Sequence, residues 1–410
     1  MARKPERVIV SGMGVASPLG CNLTDFWNCL LAGQSGVRSL EGSIYSGLRT
    51  NIGALVWNYE ERQYFESKEA RRMSRSSQLG LVAASQAITG AKLDDDKVER
   101  LDVGVIVGSS IGGYTAAEPF IKNYYDHDRL SPFTIPISMN IGPGSTISIK
   151  YGFQGPLLNV DAACSTAAHS IGQAFNMIQS GSLKAAVVGA ADCPFSPAVV
   201  AAWSTMHALS SREDFPAEAC RPFSADRDGL VLGEGAGVLI LEAESHAVGR
   251  GAPILAEIKG YGASADSFHL TQPTQQGPAS AMRRALANAE MQPDDIDYIN
   301  AHATGTEWND ENETKAIKEV FGKHAYKIPV VGNKAALGHS IAGSGALELI
   351  GCVLSLRDQV VPPTINYKLP DPECDLDYVI EGKRSASLHN IMSNSFAFGG
   401  SNAVLIVGEY

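Results

Sequence analysis

Residues 232–242 read LGEGAGVLILE, and residues 398–409 read FGGSNAVLIVGE. Each is a glycine-rich turn followed by an apolar run that ends in glutamate. Short, continuous apolar runs behind turn residues read as strands buried on both faces. The two segments align with Val238 on Val404. A looser echo pairs DAACSTAAHSIG (161–172) with NKAALGHSIAGSG (333–345), each a polar start followed by a small-residue helix opening. Together the echoes predict two related halves, residues 1–250 and 251–410, meeting at ESHAVGRGAP (244–253). No charge-rich or proline-rich linker lies there, so the halves are expected to pack as one body.

The rest of the chain alternates in the same way. RVIV (7–10), VGVIVG (103–108), AAVVGAAD (185–192), GVLILE (237–242), DYINAHAT (297–304), IPVVGN (328–333) and NAVLIVGE (402–409) predict strands. From Cys164 onward, Ala167, Ala168, Ile171, Ala174, Phe175 and Ile178 repeat at helical spacing, with Gly181 as the stop. ASAMRRALANAE (279–290) predicts a second helix. Strands alternating with helices indicate an α/β fold.

Bulk composition removes several classes of function. Of 410 residues, 44% are hydrophobic, which indicates a globular chain rather than a disordered one. A net charge of -11 argues against general nucleic-acid binding. The 7 cysteines are scattered without a CxxC pair, so neither a zinc site nor a disulfide framework is expected. A reducing, cytoplasmic compartment fits that usage. No apolar run reaches the length of about 18 residues that a membrane span needs. MARKPERVIVSGMGVASPLG (1–20) reads as a first strand and glycine turn rather than a signal peptide, because Ser11, Gly12, Gly14 and Pro18 break its apolar part.

Three residues could carry chemistry. Cys164 stands among small residues where a helix opens. It is either a small buried hydrophobe or a nucleophile, and a helix N-terminus would favour its thiolate and hold a developing oxyanion. His302 follows an apolar strand in NAHATGT, and His339 lies in a glycine-rich strand-to-helix transition. Alone, each histidine reads as structural. At strand ends of one half, facing a nucleophile at the matching junction of the other, they form a constellation of the kind found at the carboxyl edges of open α/β sheets.

These residues sit within VDAACSTA, ALSSREDFP, CRPFSADRDGLVLGEGAG, DSFHLTQP, NAHATGTEWND, NKAALGHSIAGSGALE and NSFAFGGSN. On those ordered motifs the chain resembles the elongating β-ketoacyl-[acyl carrier protein] synthases, condensing enzymes of the thiolase fold. The resemblance covers nearly the whole chain. It implies two pseudo-symmetric halves in a layered α-β-α-β-α body. It also implies a decarboxylative condensation of a malonyl thioester with an acyl chain carried on Cys164, in fatty acid or polyketide-type synthesis. His302 and His339 would hydrogen-bond the malonyl thioester carbonyl as carbon dioxide leaves. Lys334 and Glu348 match the lysine and glutamate that accompany the second histidine, and an ordinary buried ion pair is an equally good reading of them. Phe398 matches the gating phenylalanine, whose backbone N–H would share the oxyanion with that of Cys164. His269, Thr271, Thr304, Thr306 and Phe396 match positions near the carrier arm or the malonyl group.

The resemblance further implies acyl carrier protein as partner, its phosphopantetheine arm in place of any cofactor or metal, and a dimer, of like or related subunits. Lys68, Arg71, Arg72, Arg75 and Arg212 would form the basic docking patch for an acidic carrier, although basic residues on a helix usually mark no more than a solvated face. Three positions depart from the family pattern: Asn333 before Lys334, TEWND (306–310), and Ala397 in place of a loop glycine, which predicts a stiffer loop if that residue must adopt φ > 0. The alternative is a non-catalytic partner subunit that sets chain length. Such subunits typically lack the cysteine, and Cys164 is present.

Overall fold

The echoed segments become strands in equivalent places of one ten-stranded sheet. The computed structural model of the chain describes residues 5–40, 48, 50–95 and 98–410. In chain order the strands are β1 (Val8–Ala16), β2 (Val103–Gly108), β3 (Leu157–Leu158), β4 (Ala185–Asp192) and β5 (Gly235–Ala243), then β6 (Ala256–Ala265), β7 (Tyr298–Asn300), β8 (Val330–Val331), β9 (Asn390–Phe396) and β10 (Ser401–Gly408). Their spatial order is β8-β7-β9-β10-β6-β1-β5-β4-β2-β3. Outward from β1 the pairings run antiparallel, antiparallel, parallel, parallel. Outward from β6 they run the same way. The echoed strands β5 and β10 are therefore counterparts. The two sets join where β1 meets β6, over the pairs Val8↔Ile258, Ile9↔Glu257 and Val10↔Ala256.

Among the helices of the described residues, those that pack on the sheet's faces include α1 (Arg75–Ala91), α2 (Gly142–Tyr151), α3 (Thr166–Gln179), α4 (Gln276–Asn288), α5 (Glu307–Phe321) and α6 (Ser344–Asp358), in three layers. Successive side chains of a strand point to opposite faces. Leu239 and Leu241 of β5, with Leu405 and Val407 of β10, face a central core built from Ile171 and Phe175 of α3 and Leu347 and Ile350 of α6. Val238 and Ile240 face outward onto Leu79 and Ile88 of α1 and Ile147 of α2. Val404 and Ile406 face outward onto Met282 of α4 and Ile317 of α5. Strands buried on both faces need continuous apolar sequence, which is why these were legible. The result is the expected α-β-α-β-α stack. Glycine allows the outer helices to lie directly on β1 and β6. A Cβ at Gly14 would come 2.0 Å from Ala83 O of α1, and one at Gly262 would come 2.2 Å from Ala281 O of α4.

The strands expected at 103–108 and 185–192 match β2 and β4 residue for residue. Those expected at 297–304 and 328–333 shrink to Tyr298–Asn300 and Val330–Val331. The chain leaves the ladder early there; the residues released from the first include His302, and those released from the second lead directly into Lys334. Strands β6 and β9 lack the apolar runs that mark the others. In β6 buried and half-buried positions alternate, and β9 places Ser393, Asn394 and Ser395 in the interior. Among the described residues no helix is long and apolar enough to cross a membrane.

Candidate active site

Cys164 lies in the single turn Ala163–Ser165 that opens α3. Ala163 has φ 46, a left-handed conformation rare for a residue with a side chain. The turn is fixed by Ala162 N–H on Thr166 Oγ1 at 2.8 Å and Ser165 N–H on Ala162 O at 3.1 Å. The other half repeats the device. Ile341, φ 49, opens the turn Ile341–Gly343 ahead of α6.

His302 sits just past β7. Its N–H and that of Ala303 both donate to the buried Glu313 carboxylate of α5, at 2.8 Å each. Asn394 Nδ2 donates to the same carboxylate at 3.1 Å. His339 is pinned by its backbone, with N–H on Val231 O at 2.7 Å and its carbonyl accepting Gly233 N–H at 2.8 Å. The imidazoles of His302 and His339 meet edge to face, with ring centroids 5.6 Å apart at 83°.

The hydrogen bonds fix the His302 tautomer. Lys334 Nζ lies 2.6 Å from Glu348 Oε1, 2.6 Å from His302 O and 3.3 Å from His302 Nδ1. An ammonium has three N–H groups and no lone pair, so His302 Nδ1 must accept and its proton sits on Nε2. Ser344 Oγ accepts Ser340 N–H at 3.0 Å and lies 2.9 Å from His339 Nδ1, closer than its 3.2 Å to Ser340 Oγ. We assign its hydroxyl proton to Nδ1, which places the His339 proton on Nε2 as well. Among the described residues that Nε2 has no hydrogen-bond partner, although it is buried.

Cys164, His302 and His339 line one cavity of about 440 Å³, together with Phe396, Phe398, Thr304, Thr306, His269 and Thr271. Thr304 Oγ1 and Thr306 Oγ1 are 2.8 Å apart, and Thr271 N–H donates to His269 Nδ1 at 3.2 Å. The Phe396 ring lies 5.8 Å from that of His302. Phe398 stacks on Trp203 at 5.7 Å, and its backbone N–H points to the Cys164 sulfur. Lys334 and Glu348 stand behind the histidines, each 1% exposed. The basic set lies apart from the cavity. Lys68, Arg71 and Arg72 are exposed on and beside the short helix Ser67–Ala70. Arg212 is engaged by Asp226 and Asp228. Arg75 pairs with Glu234 at 2.7 Å and lies 4.4 Å over the Tyr59 ring, with its side chain 38% exposed.

Two expectations need correction. Burial pushes the Cys164 thiol up to about 12, although Lys334 and the Phe398 N–H pull the other way. Desolvation of the thiolate outweighs the helix terminus, so the resting group is a thiol. Ala397 has φ -137 and ψ 158, an extended conformation that alanine adopts freely. The positive φ values fall instead on Gly399 (78) and Gly400 (72). Burial also holds His302 and His339 well below the ordinary histidine range, with Lys334 adding to the effect.

Glu313 and Ser344 were not singled out by the sequence. Glu313 shares the buried face of α5 with Asp310, Ala316 and Ile317, and a carboxylate in an apolar stripe was its available signal. Of the departures, Trp308 in TEWND lines the cavity, and Asn333 Nδ2 donates to Asn300 Oδ1 at 2.8 Å.

Comparison with known proteins identifies the family and the fold. Residues 5–247 match the family described as beta-ketoacyl synthase, N-terminal domain, and residues 255–368 match its C-terminal domain. The chain is 41% identical over 402 residues to nodulation protein E of Rhizobium meliloti (strain 1021), covering 98% of each protein. It is 39% identical over 410 residues to 3-oxoacyl-[acyl-carrier-protein] synthase 2 of Synechocystis sp., covering 99% of this chain and 98% of that protein. A solved type II polyketide ketosynthase, bound to its acyl-carrier protein and a hexaketide, superposes with TM-score 0.93 at 30% identity, covering 99% of this chain and 100% of that one.

Proposed function

The chain belongs to the β-ketoacyl synthase family, and on that premise we propose that it condenses a malonyl thioester with an acyl chain held on Cys164. It is an acyltransferase whose product is a 3-oxoacyl thioester two carbons longer than the primer. The observation that carries the assignment of roles is His339 Nε2, without a hydrogen-bond partner among the described residues and buried beside His302 in the cavity that Cys164 lines.

The acyl group arrives as a thioester on a carrier. The Cys164 sulfur attacks its carbonyl, and the thiol proton ends on the departing carrier sulfur. The N–H groups of Cys164 and Phe398 hold the oxygen that becomes negative. A malonyl thioester then enters, with its carbonyl oxygen between His302 Nε2–H and His339 Nε2–H. Loss of carbon dioxide leaves an enolate on that oxygen, so no base is required, only donors at the developing charge. The enolate carbon attacks the acyl-Cys164 carbonyl, the Cys164 thiolate leaves, and it regains a proton from water. Atoms and charge balance without a further cofactor, so the carrier's phosphopantetheine arm is sufficient. Thr304, Thr306, His269 and Thr271 suit the amide and hydroxyl groups of that arm, and Phe396 walls the histidine side.

Neutral donors serve this chemistry, which gives a pH test. The folded chain keeps both imidazoles neutral well below pH 6.5, whereas the unfolded chain protonates them near that value. Their folded pKa values are depressed, so they cost stability as pH falls below about 6.5. Condensation should show no acid limb near pH 6.5, and a limb centred there would contradict neutral donors. The extender is tested by supplying malonyl-carrier or acetyl-CoA with the same primer. Carbon dioxide equal to product from malonyl-carrier supports the reading, and product from acetyl-CoA alone overturns it.

Lys68, Arg71 and Arg72, all exposed, suit docking of an acidic carrier. The chain also pairs with a second copy of itself or a related subunit. β3 is the end strand of the sheet, and both its own Leu158 and Ile149 on the adjoining α2 are exposed apolar groups. Light scattering should give the mass of two chains, and a monomer would contradict pairing between copies. The seven cysteines, all free, suit a reducing, cytoplasmic setting.

A further inference from the structure

A third histidine stands near the nucleophile without lining its cavity. His169 lies on α3, half-buried. Its Nδ1 is 2.6 Å from the Tyr261 hydroxyl on β6, and its Nε2 is 2.9 Å from Ser401 Oγ at the start of β10. Ser401 Oγ is 3.2 Å from Ser165 Oγ, and Ser165 Oγ is 2.9 Å from Ala162 O.

The Ser165 hydroxyl donates to Ala162 O, the carbonyl that closes the Cys164 turn, and to Ser401 Oγ. The His169 ring then bridges Ser401 Oγ and the Tyr261 hydroxyl through its two nitrogens. The bonds therefore form one chain from Ala162 O through Ser165, Ser401 and His169 to Tyr261. Burial keeps its far end uncharged, lowering His169 and raising Tyr261 to about 12.

Ser401 ends the turn Phe398–Gly400, whose two glycines have left-handed φ values. The far side of that turn is tied elsewhere. Gly399 N–H donates to Leu270 O at 2.7 Å, and Gly400 O accepts from Asp266 N–H at 2.9 Å and Asn402 Nδ2 at 3.1 Å. Among the described residues, apart from the Phe398 N–H on Cys164 itself, the hydrogen bonds from this turn to the nucleophile helix pass through the Ser401 hydroxyl. That hydroxyl sets the turn's position relative to Cys164.

We propose that His169 is a positioning residue, which through Ser401 holds the Phe398 N–H where the oxyanion on the Cys164-bound carbonyl forms. It touches neither the sulfur nor the substrate. The inference rests on the condensing reading above, because only an acyl transfer at Cys164 needs that N–H placed. Loss of one oxyanion donor costs about 10²–10³ in rate, so a misplaced donor should cost about tenfold.

The test is single-turnover acylation of Cys164 by a saturating acyl-carrier thioester, with urea unfolding of each variant. Ser401→Ala and His169→Leu should each slow acylation about tenfold with little change in half-saturation. Ser401→Thr, which keeps the hydroxyl, and His169→Gln, whose amide can donate or accept near the Nε2 position, should recover most of the rate. The double variant Ser401→Ala/His169→Leu should be no slower than the worse single one, because both break the same chain. Ser401→Ala at the wild-type rate, Ser401→Thr as slow as Ser401→Ala, or losses that follow unfolding midpoints alone would overturn the proposal. Wild-type chain left unacylated at Cys164 would instead remove the condensing reading itself.

Discussion

Replacing Cys164 with alanine will lower condensation by at least about 10⁴-fold, the scale on which removing a covalent nucleophile acts. The fold should survive, because the side chain removed is small and the turn is held by Thr166 and the backbone around Ala162. Serine will not substitute. The position is buried and raises even a thiol to about 12, and a hydroxyl is harder still to ionise there. Cys164→Gln separates the two half-reactions. It cannot be acylated, yet its neutral amide fills the space of an acyl thioester beside two intact histidines. Malonyl decarboxylation should continue without a condensation product. Loss of decarboxylation in a folded Cys164→Gln chain would show that the histidines do not act as independent donors.

Lys334→Met should be the most destabilising single change at the site, by about 3–5 kcal/mol. It leaves the Glu348 carboxylate buried without its cation. Removing both charges is different. Lys334→Met/Glu348→Met exchanges an ion pair for apolar volume, and such exchanges are often neutral. Urea unfolding should therefore show the double variant recovering most of the lost stability. Activity should not follow. Both variants lose the N–H that forces His302 Nδ1 to accept, so the Nε2–H tautomer is no longer imposed, at a cost of about 10²-fold. A double variant with restored stability and near wild-type rate would reduce Lys334 to half of an ion pair and remove it from the chemistry.

The sequence disclosed the parts of this site whose chemistry is local. Cys164, His302 and His339 are reactive residue types set in small-residue or glycine-rich turns, and the structure brings them to one cavity. Strands β2, β4, β5 and β10 were legible because both their faces are buried, which demands unbroken apolar sequence. Strand β9 was hidden because its interior positions are Ser393, Asn394 and Ser395, satisfied by partners far away in the chain such as Asn300 and Glu313. Glu313, Ser344 and His169 were missed for the same reason, since each acts through a hydrogen bond whose other end only folding supplies. The state of the Cys164 thiol was misread because a helix terminus is visible in sequence and the depth of burial is not.

The central claim is that the growing chain rides on one sulfur and leaves it only for the malonyl carbon. Intact-protein and peptide mass spectrometry tests this most directly, with acyl-carrier thioester added first and malonyl-carrier second. The account predicts one acyl group per chain, located on Cys164. That adduct should disappear when malonyl-carrier is added, as an equal amount of 3-oxoacyl-carrier two carbons longer forms. An acyl group on another residue, or a Cys164 adduct that persists in the presence of malonyl-carrier, would contradict it.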